Sequence, residues 1–323
     1  MYIPKQYAYL EEDLQQINQI LLATFSQAEE PIKTLSTQLT KAGGKRTRSL
    51  LCLISSCFGQ EGQSKPYRLA AAIELIHMSS LIHDDIIDHA PLRRGITTIH
   101  EAYNNQYATF IGDYLFAQAL EMMAEIENVY VHQIFADTIN KLSMGEIDQL
   151  KSRYQINCSV TKYLKVNRNK TARLIAVSCQ LGALMTNAPT SIQQSLYWFG
   201  YYLGMSYQII DDILDFTDYN QKLGKLNGQD LAEGYLTLPS LLAIKDKKLY
   251  DEIKEHFQLL YMGYPVDLKP TIEEIKQTKA IDESYRISQW YLNQALKKVN
   301  QLPSQVEKQI LLQIIGYLGK RNY

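Results

Sequence analysis

HDDIIDHAPLRRG, running from His83 to Gly95, closes an apolar-periodic run (Leu69, Ile73, Ile76, Ser80, Ile87) that reads as a helix. At about 100° per residue, Asp84 and Asp88 fall about 40° apart, so two carboxylates share one face. Like charges four residues apart repel, and the grouping of Asp84, Asp85 and Asp88 therefore asks for a counter-charge. A hard divalent cation is the natural one: Mg²⁺ prefers oxygen ligands, keeps several waters and takes one or two carboxylates plus substrate phosphate oxygens. Arg93 and Arg94 follow Pro91, where the helix should end, and guanidinium forks match phosphate geometry. Acid, metal and base together point to a diphosphate. Taken alone, the cluster reads equally as a solvated acidic helix end followed by a basic loop.

The spacing recurs. GMSYQIIDDILDF, Gly204 to Phe216, repeats it at Asp211, Asp212 and Asp215 among Tyr201, Tyr202, Leu203, Ile209, Ile210, Ile213, Leu214 and Phe216. Burying unpaired carboxylates costs far more than leaving them in water, so two triplets on two apolar helices argue against a merely solvated face. Cations lie between them. In KAGGKRTR, Lys41 to Arg48, two glycines precede Lys45, Arg46 and Arg48 at an expected helix start, where free N–H groups favour an anion; an ordinary basic turn is the plainer alternative. Lys170-Thr171 lies in a run with Lys162, Lys165, Arg168 and Arg173, most of which read as exposed, and Lys225 follows the second acidic helix. His77 stands two turns before Asp84 and shares its face, although a lone histidine there also suits a core.

With a formal net charge of −1, a nucleic-acid-binding surface is not expected. The hydrophobic fraction of 46% is ample for a core. Cys52, Cys57, Cys158 and Cys179 lack zinc-ligand spacing and read as reduced core thiols. Glu11, Glu12 and Asp13 precede any apolar region, so no signal peptide is expected; no apolar run reaches the roughly 18 residues of a membrane span. The expectation is a cytoplasmic chain.

Periodicity predicts helices throughout: residues 6–25, a second opened by Pro31, then 65–88, 106–126, 129–150, 161–184 and 191–218. No alternating strand pattern with a hairpin turn is visible, and no Gly, Ser or Pro-rich linker, so residues 1–323 read as one domain.

In this order GGKRxR, DDxxD with RRG, KT, GxxYQIxDDILDF, GKxxGxDL and TLP resemble the trans-polyprenyl diphosphate synthases over essentially the whole chain. The stretches HMSSLIHDD, YWFGYYLGMSYQIIDDILDF and the closing YLGKRNY are most similar to the large catalytic subunit, component II, of bacterial hexaprenyl or heptaprenyl diphosphate synthases. The resemblance implies a single large all-α bundle of the isoprenoid-synthase type, with a central cavity between antiparallel helices. It implies chain elongation: an allylic diphosphate, farnesyl diphosphate for instance, ionises, isopentenyl diphosphate attacks, a proton leaves, and the cycle repeats to a fixed all-trans length.

By resemblance, Asp84, Asp85, Asp88, Asp211, Asp212, Asp215, Lys170 and Lys225 are catalytic, with Mg²⁺ on Asp84, Asp88 and Asp211. Arg93, Lys170, Thr171, Gln208 and Lys225 match the allylic-diphosphate contacts, and Gly44, Lys45, Arg48, His77 and Arg94 those of isopentenyl diphosphate. Tyr235 stands where many members carry a second lysine, and a phenol brings no positive charge at neutral pH. Ser79 and Ser80 occupy a turn where short-chain members carry bulky aromatics, leaving room for a growing tail, with Ile76 a turn deeper. Glu146, Asp148 and Gln149 read either as supporting groups or as helix surface.

The implied partners are the two diphosphates and a small component I subunit, giving a heterodimer, or a homodimer when isolated, with only transient proximity to a membrane surface. Heptaprenyl diphosphate for the menaquinone side chain is the implied product. A geranylgeranyl-type synthase, a class I terpenoid cyclase and a partner-dependent subunit inactive alone are the alternatives.

Overall fold

Short polar side chains seal helix starts, as their first N–H groups require. Asn104 Oδ1 accepts from Tyr107 N at 2.9 Å, Ser159 Oγ from Lys162 N at 3.1 Å, and Asp246 Oδ1 from Lys248 N at 2.8 Å. Pro239 and Pro270 sit in the first turns of their helices, where a missing N–H costs nothing.

The structure is a computed structural model and describes residues 8–41, 46–60, 62, 64–93, 95–217 and 227–320. In chain order the helices are α1 (Ala8–Ser26), α2 (Ile32–Lys41), α3 (Thr47–Ser56), α4 (Tyr67–Ile87), α5 (Ile99–Ala102), α6 (Asn105–Ala124), α7 (Val129–Leu150), α8 (Val160–Asn167), α9 (Arg173–Met185), α10 (Thr190–Leu214), α11 (Gln229–Ala232), α12 (Leu238–Ala243), α13 (Lys247–Tyr261), α14 (Lys269–Gln277), α15 (Ala280–Asn300) and α16 (Val306–Gly319). The expected all-α class holds. No described helix is long and apolar enough to cross a membrane.

Two differences from the periodicity reading have physical causes. The helix expected over 161–184 is interrupted by a π-helical turn, Arg168–Ala172. A two-stranded hairpin, β1 (Leu92–Arg93) with β2 (Ile96–Thr97), pairs Leu92 with Thr97 and Arg93 with Ile96. Its strands are too short to show alternation, and Gly95 at φ 80° takes the left-handed conformation its loop requires.

The chain divides into two compact units, residues 1–135 with 178–194 and residues 136–177 with 195–323. In the first, α4 is the centre: Leu69, Ala70, Ala71, Ala72, Ile73, Leu75 and Ile76 are buried, and α1, α3 and α6 pack around it. Gly112 lets α6 come close, since a Cβ there would lie 2.4 Å from His83 Nε2. In the second unit, α12 packs on α15 and α15 on α16, over a core that includes Met205, Ile209, Ile213, Phe216 and Leu238. Cys52 and Cys179 are buried thiols as expected, but Cys57 and Cys158 are only half-buried, because each ends or precedes a helix.

Candidate active site

Toward its C-terminal end α4 opens, with His83, Ile86 and Ile87 half-buried as well as one line of residues that bears most of its polar groups. His77, Ser80, Leu81 and Asp84 are half-buried where nearly all the preceding turns are buried, and Asp88 continues the line at the helix end. Their spacing keeps them on one side. Ile76 and Ser79 are buried at 4% and 3% exposure, and Ser80 Oγ donates to His77 O at 2.9 Å. Asp88 N donates to Asp84 O at 2.8 Å, so the two carboxylates that share this stripe are set one turn apart by the last helical hydrogen bond.

Asp85 turns the other way. It is buried, and Arg93 Nε donates to its Oδ1 at 2.7 Å with a second bond from the same guanidinium. Burial pushes the Asp85 carboxyl up and Arg93 pulls it partly back. The pairing follows from a chain reversal at His89, φ 49°, fastened where Ala90 N donates to Asp85 O and where Thr98 Oγ1 and His100 Nε2 meet Ala90 O. Arg93, expected on the allylic diphosphate, is held here by Asp85, itself expected to be catalytic.

Of the GGKRxR stretch, Gly44 and Lys45 lie outside the described residues, as does Arg94. Arg46, read as part of an anion cradle, faces inward instead. At φ 44° it precedes α3, and its guanidinium donates to Glu74 Oε1 at 2.9 Å and to Thr40 O at 3.3 Å. Ser49 Oγ completes the carboxylate at 2.8 Å. Arg48 is half-buried in the first turn of α3.

In the second unit the acidic triplet separates into three roles. Asp211 is half-buried, whereas Asp212 and Asp215 are buried. Asp212 accepts from Gln208 Nε2 at 2.9 Å and from the Tyr163 hydroxyl, while Thr171 Oγ1 donates to Gln208 Oε1 at 2.8 Å. Burial raises the Asp212 carboxyl to about 7 against the pull of those two donors. Thr171 and Gln208, expected on diphosphate, thus form a hydrogen-bonded chain ending on Asp212. Asp215 accepts from Gln229 N at 3.2 Å and Asp230 N at 3.1 Å, sealing the start of α11.

The π-helical turn presents Lys170, whose Nζ donates to Glu146 Oε2 at 2.8 Å. Such turns are rare and concentrate at functional positions. Gly204 allows α10 to cross it, because a Cβ would lie 2.6 Å from Ala172 Cα. Asp148 accepts from Lys165 at 2.8 Å, and that contact holds its carboxyl low; Gln149 lies on the same helix. Lys225 lies outside the described residues. Tyr235 is buried, with the Arg153 guanidinium 5.8 Å from its ring centre and 5.1 Å from that of Tyr154.

Among the described residues no group of three His, Cys, Asp or Glu side chains forms a metal cage. The donors still suit Mg²⁺, which needs only one or two carboxylates when phosphates complete its shell: Asp84 with Asp88 on an open stripe, and Asp211 as the outward member of its triplet. Sequence reasoning missed Tyr163, Arg153 and Glu74. Glu74, a lone acid inside LAAAIELIHMSS, carried a signal; Tyr163 is 49 residues from Asp212 and carried none.

The polyprenyl synthetase family model matches residues 29–260. The chain is 42% identical to heptaprenyl diphosphate synthase component 2 of Geobacillus stearothermophilus over 326 residues, covering 100% of both. It is 43% identical to the protein of that name from Bacillus subtilis, over 98% of this chain and 90% of the other. The crystal structure of heptaprenyl diphosphate synthase from Staphylococcus aureus superposes with a TM-score of 0.90 at 32% identity, covering 97% of this chain and 99% of that one.

Proposed function

The chain belongs to the polyprenyl synthetase family and is a prenyltransferase, and on that premise we propose that it elongates an allylic diphosphate, farnesyl diphosphate among them, with isopentenyl diphosphate to all-trans heptaprenyl diphosphate. The observation that carries the reading is the partly open line of α4, where His77, Ser80, Asp84 and Asp88 place oxygen and nitrogen ligands along one side of a largely apolar helix. Asp84 and Asp88, and on its own helix Asp211, would hold Mg²⁺, which when bound stabilises the negative charge of a departing diphosphate.

The remaining work falls to the chain's own groups. Lys170, presented by the π-helical turn, has Glu146 as its resting partner at 2.8 Å, and a diphosphate with more charge can take that place. Thr171 and Gln208 keep Asp212 satisfied and fix the last turn of α10, which orients Asp211. Asp85 holds Arg93 in place beside the same acidic helix end. Arg48 and His77, with Gly44, Lys45 and Arg94 of the same motifs, bind isopentenyl diphosphate in this reading, and Lys225 joins Lys170 on the allylic diphosphate. The small Ser80 on the stripe, with Ser79 and Ile76 buried behind it, leaves space for a growing chain.

The family match runs through parts of both units, which supports one domain over 1–323. The names of its relatives support a second, small component I as partner, with a homodimer when it is absent. Cytoplasmic location, brief contact with a membrane surface and supply of the menaquinone side chain complete the proposal. Incubating the chain with labelled isopentenyl diphosphate, farnesyl diphosphate and Mg²⁺ tests the chemistry. Chain-extended diphosphates lost in Asp84→Ala and on chelation are expected; an Asp84→Ala variant with unchanged turnover would overturn the assignment.

A further inference from the structure

Arg46, Arg93 and Arg173, buried or half-buried, are each matched by a carboxylate, Glu74, Asp85 and Asp137 in turn. Arg153 is half-buried too, just past the end of α7, but among the described residues its partners are a carbonyl and two rings. Its Nε donates to Glu233 O at 2.8 Å, and the guanidinium lies against the rings of Tyr154 and Tyr235. Withdrawing a cation from water without a counter-charge is costly, and neither a carbonyl nor a ring neutralises it. One of its N–H donors is used; among the described residues the rest of the planar fork, which fits phosphate oxygens, has no acceptor.

The guanidinium is fixed beside the second acidic triplet. The four-residue α11 is tied at its start by Asp215, which accepts from Gln229 N and Asp230 N. Its end is tied by Arg153 on Glu233 O and by Tyr154 N, which donates to Gly234 O at 2.7 Å. Gly234 permits this closure, because its φ is 91° and a Cβ there would lie 2.4 Å from the Tyr154 ring. Asp215 N in turn donates to Asp211 O at 3.1 Å, so one short helix joins Arg153 to the metal-facing turn of α10. Lys170 rests on Glu146, seven residues before Arg153.

The acids of this region have other partners. Glu146 holds Lys170, Asp148 holds Lys165, Glu233 Oε1 accepts from Gln229 Nε2 at 2.9 Å, and the charge of Asp230 is felt at Tyr163. We propose that Arg153 is a further ligand of the allylic diphosphate, supplying from the end of α7 the positive charge that Tyr235 does not bring. The inference rests on the reading of this site as one for an allylic diphosphate, and it gives Lys170 and Arg153 the same anion to hold.

Binding of inorganic diphosphate with Mg²⁺ to the full chain is measured by calorimetry, beside KM for each substrate in elongation and thermal melts by ellipticity. Arg153→Gln should bind diphosphate about 10- to 100-fold more weakly, as loss of charge-assisted hydrogen bonds implies. Its KM for farnesyl diphosphate should rise in step, with KM for isopentenyl diphosphate little changed. Arg153→Lys keeps the charge without the fork and should fall between the two, and Arg286→Gln, exposed on α15, should bind as the unaltered chain does. Diphosphate affinity unchanged in Arg153→Gln, or a rise in KM for isopentenyl diphosphate alone, would overturn the proposal. So would equal losses in the Lys and Gln variants together with lower melting temperatures, which a mere cap of α11 would give. Elongation by the unaltered chain with diphosphate affinity unchanged in Arg153→Gln defeats this inference alone. Weaker diphosphate binding in Arg153→Gln, with no elongation by the unaltered chain, defeats only the reading of the reaction.

Discussion

Replacing Glu74 by alanine should be among the most destabilising single changes in the chain. Glu74 is 3% exposed on α4 and accepts from Arg46 at 2.9 Å and Ser49 at 2.8 Å. Truncation would strand the Arg46 guanidinium, 6% exposed, with the Thr40 carbonyl at 3.3 Å as its remaining oxygen acceptor among the bonds described above. Two hydrogen bonds to a charged group are worth about 1.5–3 kcal/mol each, and breaking one side of a buried pair costs about 3–5 kcal/mol. At about 2 °C per kcal/mol for a chain of this size, the melting temperature should fall by about 6–10 °C. Arg46→Met with Glu74→Leu removes both charges together, so most of the loss should return, giving a coupling of several kcal/mol in a double-mutant cycle. Thermal melts of the four proteins by ellipticity give the comparison. A loss in Glu74→Ala below about 1 kcal/mol, or a double variant no more stable than the single one, would refute the assignment of Arg46 as an anchor of α3 rather than a ligand of diphosphate.

Three further outcomes follow from the same geometry. Tyr163→Phe deletes a donor to buried Asp212; a stability loss of about 1–3 kcal/mol in melts, with a fall in kcat exceeding any change in KM, is expected. Asp215→Ala leaves the N–H groups of Gln229 and Asp230 without their acceptor; about 1 kcal/mol should be lost, and undiminished stability would contradict the capping role. Ser80→Phe places a ring on the open α4 stripe one turn before Asp84 and should shorten the products seen by thin-layer chromatography, whereas Ser79→Phe, 3% exposed, should act first by overpacking the core.

Much of this was legible because helices advertise themselves by period. The stretch 129–150 matches α7, and α4 and α6 fall within two residues of their expected limits. The acidic triplets were legible for the same reason, as Asp84 and Asp88 share a face by spacing alone. What one-dimensional spacing does not carry is how triplet members divide. Asp85 turns to Arg93 because His89 reverses the chain, and Asp215 seals α11 because Gln229 N, 14 residues later, meets its carboxylate. The π-helical turn that presents Lys170 replaces i→i−4 bonds without any proline or glycine at that point. The cationic motif misled in part: Arg46 has the composition of an anion cradle, but its left-handed backbone directs it to Glu74.

The product-length assay, run with purified chain, labelled isopentenyl diphosphate, farnesyl diphosphate and Mg²⁺, with and without the small subunit from the same cell, tests the account most directly. Heptaprenyl diphosphate that appears or rises sharply when the second protein is added is the predicted result. Short products of fixed length with or without it, or a cyclised hydrocarbon, would contradict the reading of a two-component long-chain synthase.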